Sequence, residues 1–364
     1  MGRDVKPPLT TIPPHVVAVE DYRTLAKERL SSMAQAYLHG GSGDEITLKA
    51  NRQAFEQTAI IPRILRDLGE GNTRLELFGQ SLAHPILAAP TAFHHLFHPE
   101  GEIATARGIS ALEGLMVVST SATETLEDIS RHCQNPPWFQ LYIQPDKAAT
   151  VALLRRAEAA GYHAIVVTAD APLHGLRNRE QRAGFQLPPH IQPVNHPPAP
   201  AASESNDIFS SPLVRQAPTW DDLRWLRQQT SLPLILKGVM HPGDGLMARE
   251  AGMDGLIVSN HGGRTLDTVP ATLTVLPAIR EATGPDYPIL IDGGIRRGSD
   301  VFKAIALGAQ AVLVGRPIVD GLASAGAVGV AHILRILHAE LALTMVFAGT
   351  PQLQDITPDT LQLS

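Results

Sequence analysis

The segment Gly255-Leu256-Ile257-Val258-Ser259-Asn260-His261-Gly262-Gly263-Arg264 joins a short apolar run to a polar, glycine-rich end. The run Gly255 to Val258 is typical of a fully buried strand. A histidine can exchange a proton near neutral pH, and an arginine can bind a carboxylate through two parallel hydrogen bonds. The two glycines between them permit a sharp turn and the close approach of a flat ligand. The segment therefore predicts a catalytic strand end, although a tight turn with a core histidine and a surface arginine would contain the same residues.

Similar apolar runs recur along the chain, and they indicate the fold. They cover residues 85–90, 115–120, 138–142, 164–170, 233–239, 255–260, 288–294 and 311–316. Helical segments separate most of them; the clearest begins at the capping residue Asp146 and ends at Gly161. Continuous apolar strands that alternate with helices predict a parallel sheet covered by helices. Eight such units favour a closed (β/α)8 barrel over an open doubly wound sheet.

The regions outside the strand–helix repeats are predicted to extend this single domain, residues 1–364. Prolines at positions 7, 8, 13 and 14 indicate an extended arm over residues 1–18, followed by a helix from Val19 to Leu38. A C-terminal helix is expected over residues 318–348. The long connection after the fourth strand, residues 187–216, is rich in proline, so we expect a mobile excursion that serves either as a lid or as a tolerated surface loop.

Composition excludes several classes of protein. Hydrophobic residues make up 44% of the 364 positions, and the net charge of −6 is scattered, with no basic run that would bind nucleic acid. The single cysteine, Cys133, cannot form an intramolecular disulfide and suits a reducing compartment. No apolar run is expected to reach the ~18 residues of a membrane span, and no secretory signal is expected at the N-terminus. We therefore expect a cytoplasmic protein without a membrane partner.

Polar or small residues lie at the ends of all eight predicted strands. They are Pro90-Thr91-Ala92, Ser119, Gln140 with Tyr142, Thr168 with Asp170, Lys237, Ser259 with His261 and Arg264, Asp292-Gly293-Gly294 with Arg296, and Gly315-Arg316. Barrels place their chemistry at this face, and they commonly bind phosphate after strands seven and eight. Amide and hydroxyl groups inward of that site could bond the edges of a flat heterocycle. The pattern predicts a phosphorylated planar cofactor; a non-flavin barrel that binds a sugar phosphate is the alternative.

Two motifs carry a family resemblance. They are Ser259–Thr272 (SNHGGRTLDTVPAT) and Asp292–Ala309 (DGGIRRGSDVFKAIALGA). The chain resembles the FMN-dependent α-hydroxy-acid oxidases and dehydrogenases, a family that includes glycolate oxidase, lactate oxidase and mandelate dehydrogenase. Matching motifs run from about Tyr22 to Thr350. The resemblance implies a barrel with bound FMN and a homo-tetramer.

The resemblance also implies a role for each matching residue. FMN would be lined by Pro90, Thr91, Ala92, Ser119, Gln140, Thr168, Lys237 and Ser259. Its phosphate would be held by Asp292, Gly293, Gly294, Arg296, Gly315 and Arg316. His261 would be the base and Asp170 its partner. Arg264 and Arg177 would bind the substrate carboxylate, while Tyr37 and Tyr142 would bond substrate oxygens.

The implied reaction is oxidation of an L-2-hydroxy acid to the 2-oxo acid. We expect O2 to accept the electrons and give hydrogen peroxide, because no haem-binding domain precedes the barrel and the excursion has no membrane-binding character. A dehydrogenase that uses a quinone or another acceptor is the alternative. An FMN-dependent isomerase and a degenerate barrel kept for assembly are more distant ones.

Two further features of the sequence bear on ligands. Ser121 stands where glycolate oxidase-like members carry tryptophan, which predicts a pocket lined by Phe93 and Leu176 for a bulky 2-hydroxy acid. The alternative is that another side chain, such as Phe185, fills the space. The cluster His94, His95 and His98 has no acidic or cysteine ligand beside it in the sequence, so no metal site is expected.

Overall fold

Eight parallel strands form a closed barrel in the computed structural model, which describes residues 5–196 and 208–362. The strands are Ile86–Ala88 (β1), Leu115–Ser119 (β2), Trp138–Leu141 (β3), Ala164–Thr168 (β4), Leu234–Val239 (β5), Gly255–Val258 (β6), Ile289–Ile291 (β7) and Ala311–Val314 (β8). Each strand pairs with its neighbours in parallel, and β8 pairs with β1, which closes the barrel. The predicted (β/α)8 barrel is confirmed, and the open sheet is excluded.

The strands are apolar throughout because both of their faces are covered. In β2, Leu115 and Val117 pack in the cluster that fills the barrel, while Met116 and Val118 pack in the larger cluster under the helices. This alternation follows from the two-residue period of a strand. It leaves no solvent-facing row, which is why the sequence shows continuous rather than alternating apolar runs.

Helices surround the barrel. The helices that precede β1 in the chain are Val19–Arg29, Ser32–His39 and Ile46–Gln57. Those that follow β1 are Gly101–Ser110, Leu126–Arg131, Lys147–Ala159, Asn178–Arg182, Pro212–Arg215, Trp220–Arg227, Pro242–Glu250, Thr272–Thr283, Gly298–Ala306 and Arg316–Ala348. Short 3-10 turns cover His94–Leu96, Ile208–Ser210, Leu353–Asp355 and Pro358–Thr360. An antiparallel hairpin, Leu75–Leu77 with Gln80–Leu82, packs on the apolar residues inside the barrel, and Ala59–Ile60 pairs with Leu361–Gln362.

The predicted N-terminal helix is two helices. The chain is extended at Leu30, and the Ser31 hydroxyl then accepts a hydrogen bond from the Ala34 amide at 3.2 Å, which begins a new helix. Residues 5–18 contain neither helix nor strand, in keeping with an extended arm. Of the predicted excursion, residues 197–207 lie outside the described residues, so its mobility stays a prediction.

The C-terminal helix Arg316–Ala348 corrects the expectation that no apolar run reaches the length of a membrane span. It is the one helix in the described parts of the chain that is long and apolar enough to cross a membrane, judged by length and composition alone. Its backbone leaves the helical conformation at Ala325 and Gly326, so the rod is kinked. In the structure it packs along three other helices: Val19–Arg29, Gly101–Ser110 and Gly298–Ala306.

Candidate active site

Polar side chains continue the inward-facing rows of the barrel strands. In β2 the inward residues are Leu115 and Val117, so Ser119 falls in the same row. The same count places further side chains at the carboxyl end of the barrel interior: Gln140, Thr168, Lys237, Ser259 and Asp292. All of them are buried. They form the floor of a site at the face where barrels place their chemistry.

Lys237 is a buried cation in this floor. Its ammonium donates to Ser259 Oγ at 2.9 Å and lies 3.4 Å from Asp292 Oδ2 and 4.0 Å from Asp170 Oδ2. Burial alone would lower the pKa of Lys237, but Asp292 and Asp170 raise it above its ordinary value. The lysine is therefore a fixed positive charge at neutral pH.

His261 and Asp170 form a hydrogen-bonded pair above the floor. His261 Nδ1 lies 2.9 Å from Asp170 Oδ1, and the two side chains are 24% and 10% exposed. Burial would raise the pKa of Asp170, yet Lys237 and His261 hold it below its ordinary value. An ionised carboxylate only accepts hydrogen bonds, so Nδ1 carries the proton and Nε2 is the basic nitrogen. Burial lowers the pKa of His261, and Asp170 partly offsets this, so the imidazole is neutral at pH 7.

The turn after β6 fixes the direction of His261. His261 itself has φ 56°, and Gly262 and Gly263 follow with φ 62° and 73°. A non-glycine residue in this region is strained, which is common at functional sites. The His261 amide donates to Ser259 Oγ at 3.0 Å. A side chain at Gly263 would come within 2.8 Å of the Leu48 amide, so the turn needs glycine there.

Buried polar atoms of the floor are left without partners in the described residues. The Gln140 amide oxygen accepts from Ser119 Oγ at 3.3 Å and from the Thr120 amide at 3.1 Å, but Gln140 Nε2 and Asp292 Oδ1 have no partner. Leaving a buried polar group unpaired costs about 1–3 kcal/mol. The carbonyl and N–H edges of a flavin ring and the hydroxyls of its side chain offer the missing partners. The floor therefore fits the FMN that the resemblance implies.

The ends of β7 and β8 bring a surplus of buried positive charge together. Burial lowers the pKa of Arg296 to about 10, and burial with the neighbouring Arg264 and Arg296 lowers the pKa of Arg316 well below its ordinary value. An anion would offset this repulsion, so the cluster fits a phosphate. Gly293 and Gly294 have positive φ, 92° and 89°. Arg316 currently donates to three backbone carbonyls, those of Leu38, Gly40 and Gly262.

Arg177 and Arg264 lie side by side in the structure, as their implied role requires. Both guanidinium groups contact one carboxylate, that of Glu180. Arg264 Nη1 also donates to the carbonyls of Tyr37 at 2.6 Å and Gly40 at 3.0 Å, which ties it to the N-terminal helices. Two largely buried guanidinium groups that share one carboxylate form a site that a substrate carboxylate fits.

Tyr37 and Tyr142 lie beside the charged residues of the same site. The Tyr37 ring, from helix Ser32–His39, lies 5.0 Å from Arg264 Cζ. Tyr142 follows β3 and carries a hydroxyl close enough to Lys237 to influence it electrostatically. Burial raises the pKa of Tyr142 to about 12 and raises that of Tyr37 as well. Both phenols therefore stay protonated and can donate hydrogen bonds to substrate oxygens.

The outer wall differs from the sequence prediction. Ser121 Oγ lies 3.3 Å from His196 Nε2, so a side chain from the connection after β4 lies against Ser121. Leu176 is 72% exposed, whereas the Phe93 amide donates to the Ser121 carbonyl at 3.2 Å. Phe185 stacks on Tyr37 with ring centroids 4.9 Å apart. The structure thus supports the alternative in which other side chains fill the place of the tryptophan.

Sequence reasoning missed a buried amide pair that holds the turn carrying His261. Asn51 and Asn260 exchange two hydrogen bonds of 2.9 Å, and Asn260 Oδ1 also accepts from the Gly263 amide at 3.1 Å. A side chain at Gly294 would come within 2.3 Å of the Asn51 carbonyl. Helix Ile46–Gln57 therefore fixes both the histidine turn and the glycine turn. The residues are 209 positions apart, so no local pattern could have paired them.

The three histidines after β1 have separate partners. His94 Nδ1 lies 2.9 Å from Thr105 Oγ1, His95 Nε2 lies 2.8 Å from Glu124 Oε1, and His98 Nδ1 accepts from the Glu100 amide at 3.1 Å. No group of three ligating side chains that could hold a metal ion occurs in residues 5–196 and 208–362.

The chain is similar to known proteins over nearly its whole length. Residues 26–363 match the family described as FMN-dependent dehydrogenase. An L-lactate oxidase from Alicycliphilus denitrificans is 50% identical, over 97% of this chain and 98% of the relative. A peroxisomal (S)-2-hydroxyacid oxidase from Arabidopsis thaliana is 41% identical, over 94% and 95%. A mandelate oxidase solved with benzoyl-formic acid superposes with a TM-score of 0.86 at 39% identity, over 95% and 98%.

Proposed function

The chain belongs to the FMN-dependent dehydrogenase family and is an FMN-dependent oxidase of 2-hydroxy acids, and we propose that its substrate is a short-chain L-2-hydroxy acid of about the size of L-lactate. The observation that carries this proposal is the contact between Ser121 and His196, which closes the outer wall of the site. Relatives that are 45–50% identical bear the name L-lactate oxidase, which supports the same choice.

His261 is proposed to be the base. Its Nε2 carries no proton in the resting state, because Nδ1 donates to Asp170. When Nε2 takes a proton from the substrate, the imidazolium forms 2.9 Å from a carboxylate that stabilises it. The pair can accept the proton of the hydroxyl or of Cα, and both routes end with the same protonated histidine.

The remaining groups orient the substrate. Arg264 and Arg177 bind its carboxylate, and the Tyr37 and Tyr142 hydroxyls donate to its oxygens. This arrangement presents the 2-position to His261.

FMN, when bound, would supply the two-electron redox chemistry between the hydroxy acid and O2. The residues named above would hold its ring and its phosphate. In the overall balance the hydroxy acid loses two electrons and two protons, and O2 gains both pairs to give hydrogen peroxide. The fixed charge of Lys237 favours negative charge on a bound ring.

A substrate series tests the proposal. L-Lactate should give a higher kcat/KM than mandelate and 2-hydroxyoctanoate. Each methylene that the closed site cannot accommodate raises the activation free energy by ~1–3 kcal/mol relative to L-lactate. Mandelate well ahead of L-lactate would refute the closed wall. A protein that consumes no O2 with any 2-hydroxy acid would refute the function itself.

A homo-oligomer is part of the proposal, with a tetramer implied by the resemblance. Leu65, Ile64 and Phe347 are 99%, 80% and 74% exposed and lie near a groove lined by Pro62 and Leu343. Exposed apolar groups in this number suit a protein contact. Light scattering that gives the mass of one chain would refute it. The cytoplasmic location stays a prediction.

A further inference from the structure

Glu180 joins the two arginines of the carboxylate site. Its Oε1 lies 3.1 Å from Arg177 Nη1 and 3.3 Å from Arg264 Nη2. The three side chains are only 13–15% exposed. Charge-assisted hydrogen bonds of this kind are stronger than neutral ones, and burial strengthens them further. Glu180 is thus the shared partner of both guanidinium groups.

The two arginines need such a partner. Burial and the charge of Arg177 lower the pKa of Arg264, and Glu180 acts in the opposite direction. Like charges in a buried site repel, and removing the shared anion would leave both under-compensated. Two guanidiniums and one carboxylate leave a single net positive charge. That charge matches the one carboxylate of a 2-hydroxy acid.

Glu180 occupies only part of the donor set. It contacts Nη1 of Arg177, while Arg177 Nε is buried and finds no acceptor among the described residues. Arg264 uses Nη1 for backbone carbonyls and Nη2 for Glu180. The unpaired Arg177 Nε is therefore a donor that remains for a ligand.

We propose that Glu180 is a positioning residue that holds Arg177 and Arg264 in register for the substrate carboxylate; this inference rests on the proposed function. Glu180 acts through the arginines and does not touch the substrate. It lies on helix Asn178–Arg182, the first helix after β4, and Arg177 caps that helix. The start of the connection after β4 is then part of the substrate site.

Calorimetric binding of pyruvate and benzoylformate, two 2-oxo acids of different size, tests the proposal without turnover. The variants are Glu180→Ala and Glu180→Gln, both in the flavin-loaded enzyme. The control is Glu127→Gln, which removes the carboxylate of another arginine pair, Arg156–Glu127, outside the site. Whichever acid binds the wild type should bind Glu180→Ala ~10–100-fold more weakly, the loss expected for a hydrogen-bonded charge. Glu180→Gln should fall between, and the control should bind normally.

Kinetics must show the same pattern. KM should rise by the binding ratio while kcat changes less than ~3-fold, because the base is intact. Adding Glu180→Ala to Arg177→Ala should weaken binding less than Glu180→Ala does in the wild type, since one of the two arginine partners of Glu180 is already lost. Unchanged or tighter binding in both Glu180 variants would overturn the proposal and make Glu180 a bystander or a competitor of the substrate. A wild type that binds these acids but oxidises no 2-hydroxy acid would refute the function alone.

Discussion

Asp170→Asn should slow the chemical step and at the same time shift its pH dependence to lower pH. The asparagine keeps the shape of the side chain but removes the charge that lies 2.9 Å from His261 Nδ1. Unit charges ~4 Å apart attract by about 4 kcal/mol at an effective dielectric constant of 20. A neighbouring carboxylate typically moves a pKa by about 1–3 units, or ~1.4–4 kcal/mol. We expect anaerobic bleaching of the bound flavin by L-lactate to slow by ~10–1,000-fold.

The sign of the pH effect follows from the direction in which Asp170 shifts the pKa of His261. The pKa of His261 is already below 6.5, mainly through burial, and Asp170 raises it toward the ordinary value. The neutral imidazole is the active form, so the wild-type rate rises with pH through that pKa and is level at neutral pH. Without Asp170 the pKa falls further. Stopped-flow rates from acid to neutral pH should show a lower plateau and an acid limb at lower pH. An unchanged plateau, or an acid limb at higher pH, would refute the role of Asp170 as the partner of His261.

Other variants test the rest of the site. Arg264→Lys should raise KM by ~10–100-fold, because an ammonium cannot replace a guanidinium that bonds Tyr37, Gly40 and Glu180 together; a normal KM would remove Arg264 from the carboxylate site. Asn51→Leu should lower the free energy of unfolding by about 3 kcal/mol and weaken flavin retention, since it removes both hydrogen bonds that Asn51 exchanges with Asn260; loss of stability with normal flavin binding would limit the role of Asn51 to the fold. His196→Ala should raise kcat/KM for mandelate relative to L-lactate, and an unchanged ratio would show that His196 is not the wall.

The barrel could be predicted because each strand has a recognisable local sequence pattern. A buried parallel strand is apolar on both faces, and the first polar residues after it mark the face of the barrel where the site lies. For this reason Gln140, Lys237 and His261 could be assigned to one site before any contact was known. The break at Leu30 was missed because propensity alone favours continuing a helix through it.

The supporting contacts could not be predicted, because they join residues with no fixed spacing. Glu180 meets Arg264 across 84 positions, and Asn51 meets Asn260 across 209. The prediction of an open pocket beside Ser121 was wrong for a related reason. Removing an indole at Ser121 predicts a void only if nothing else fills it, and His196 comes from a proline-rich connection whose path has no sequence signature. The spacing of Arg177 and Glu180, three apart on a helix, was the one usable local signal.

The most direct test of the account is a double-mixing stopped-flow measurement on the purified flavoprotein. The enzyme is first mixed with L-lactate without oxygen and then with O2, while flavin absorbance and hydrogen peroxide are followed. The account predicts rapid bleaching, followed by recovery of colour at least as fast as steady-state turnover, with one peroxide formed per lactate consumed. No bleaching by L-lactate would contradict the assigned substrate. Recovery slower than turnover with an artificial acceptor would contradict the oxidase and make the protein a dehydrogenase.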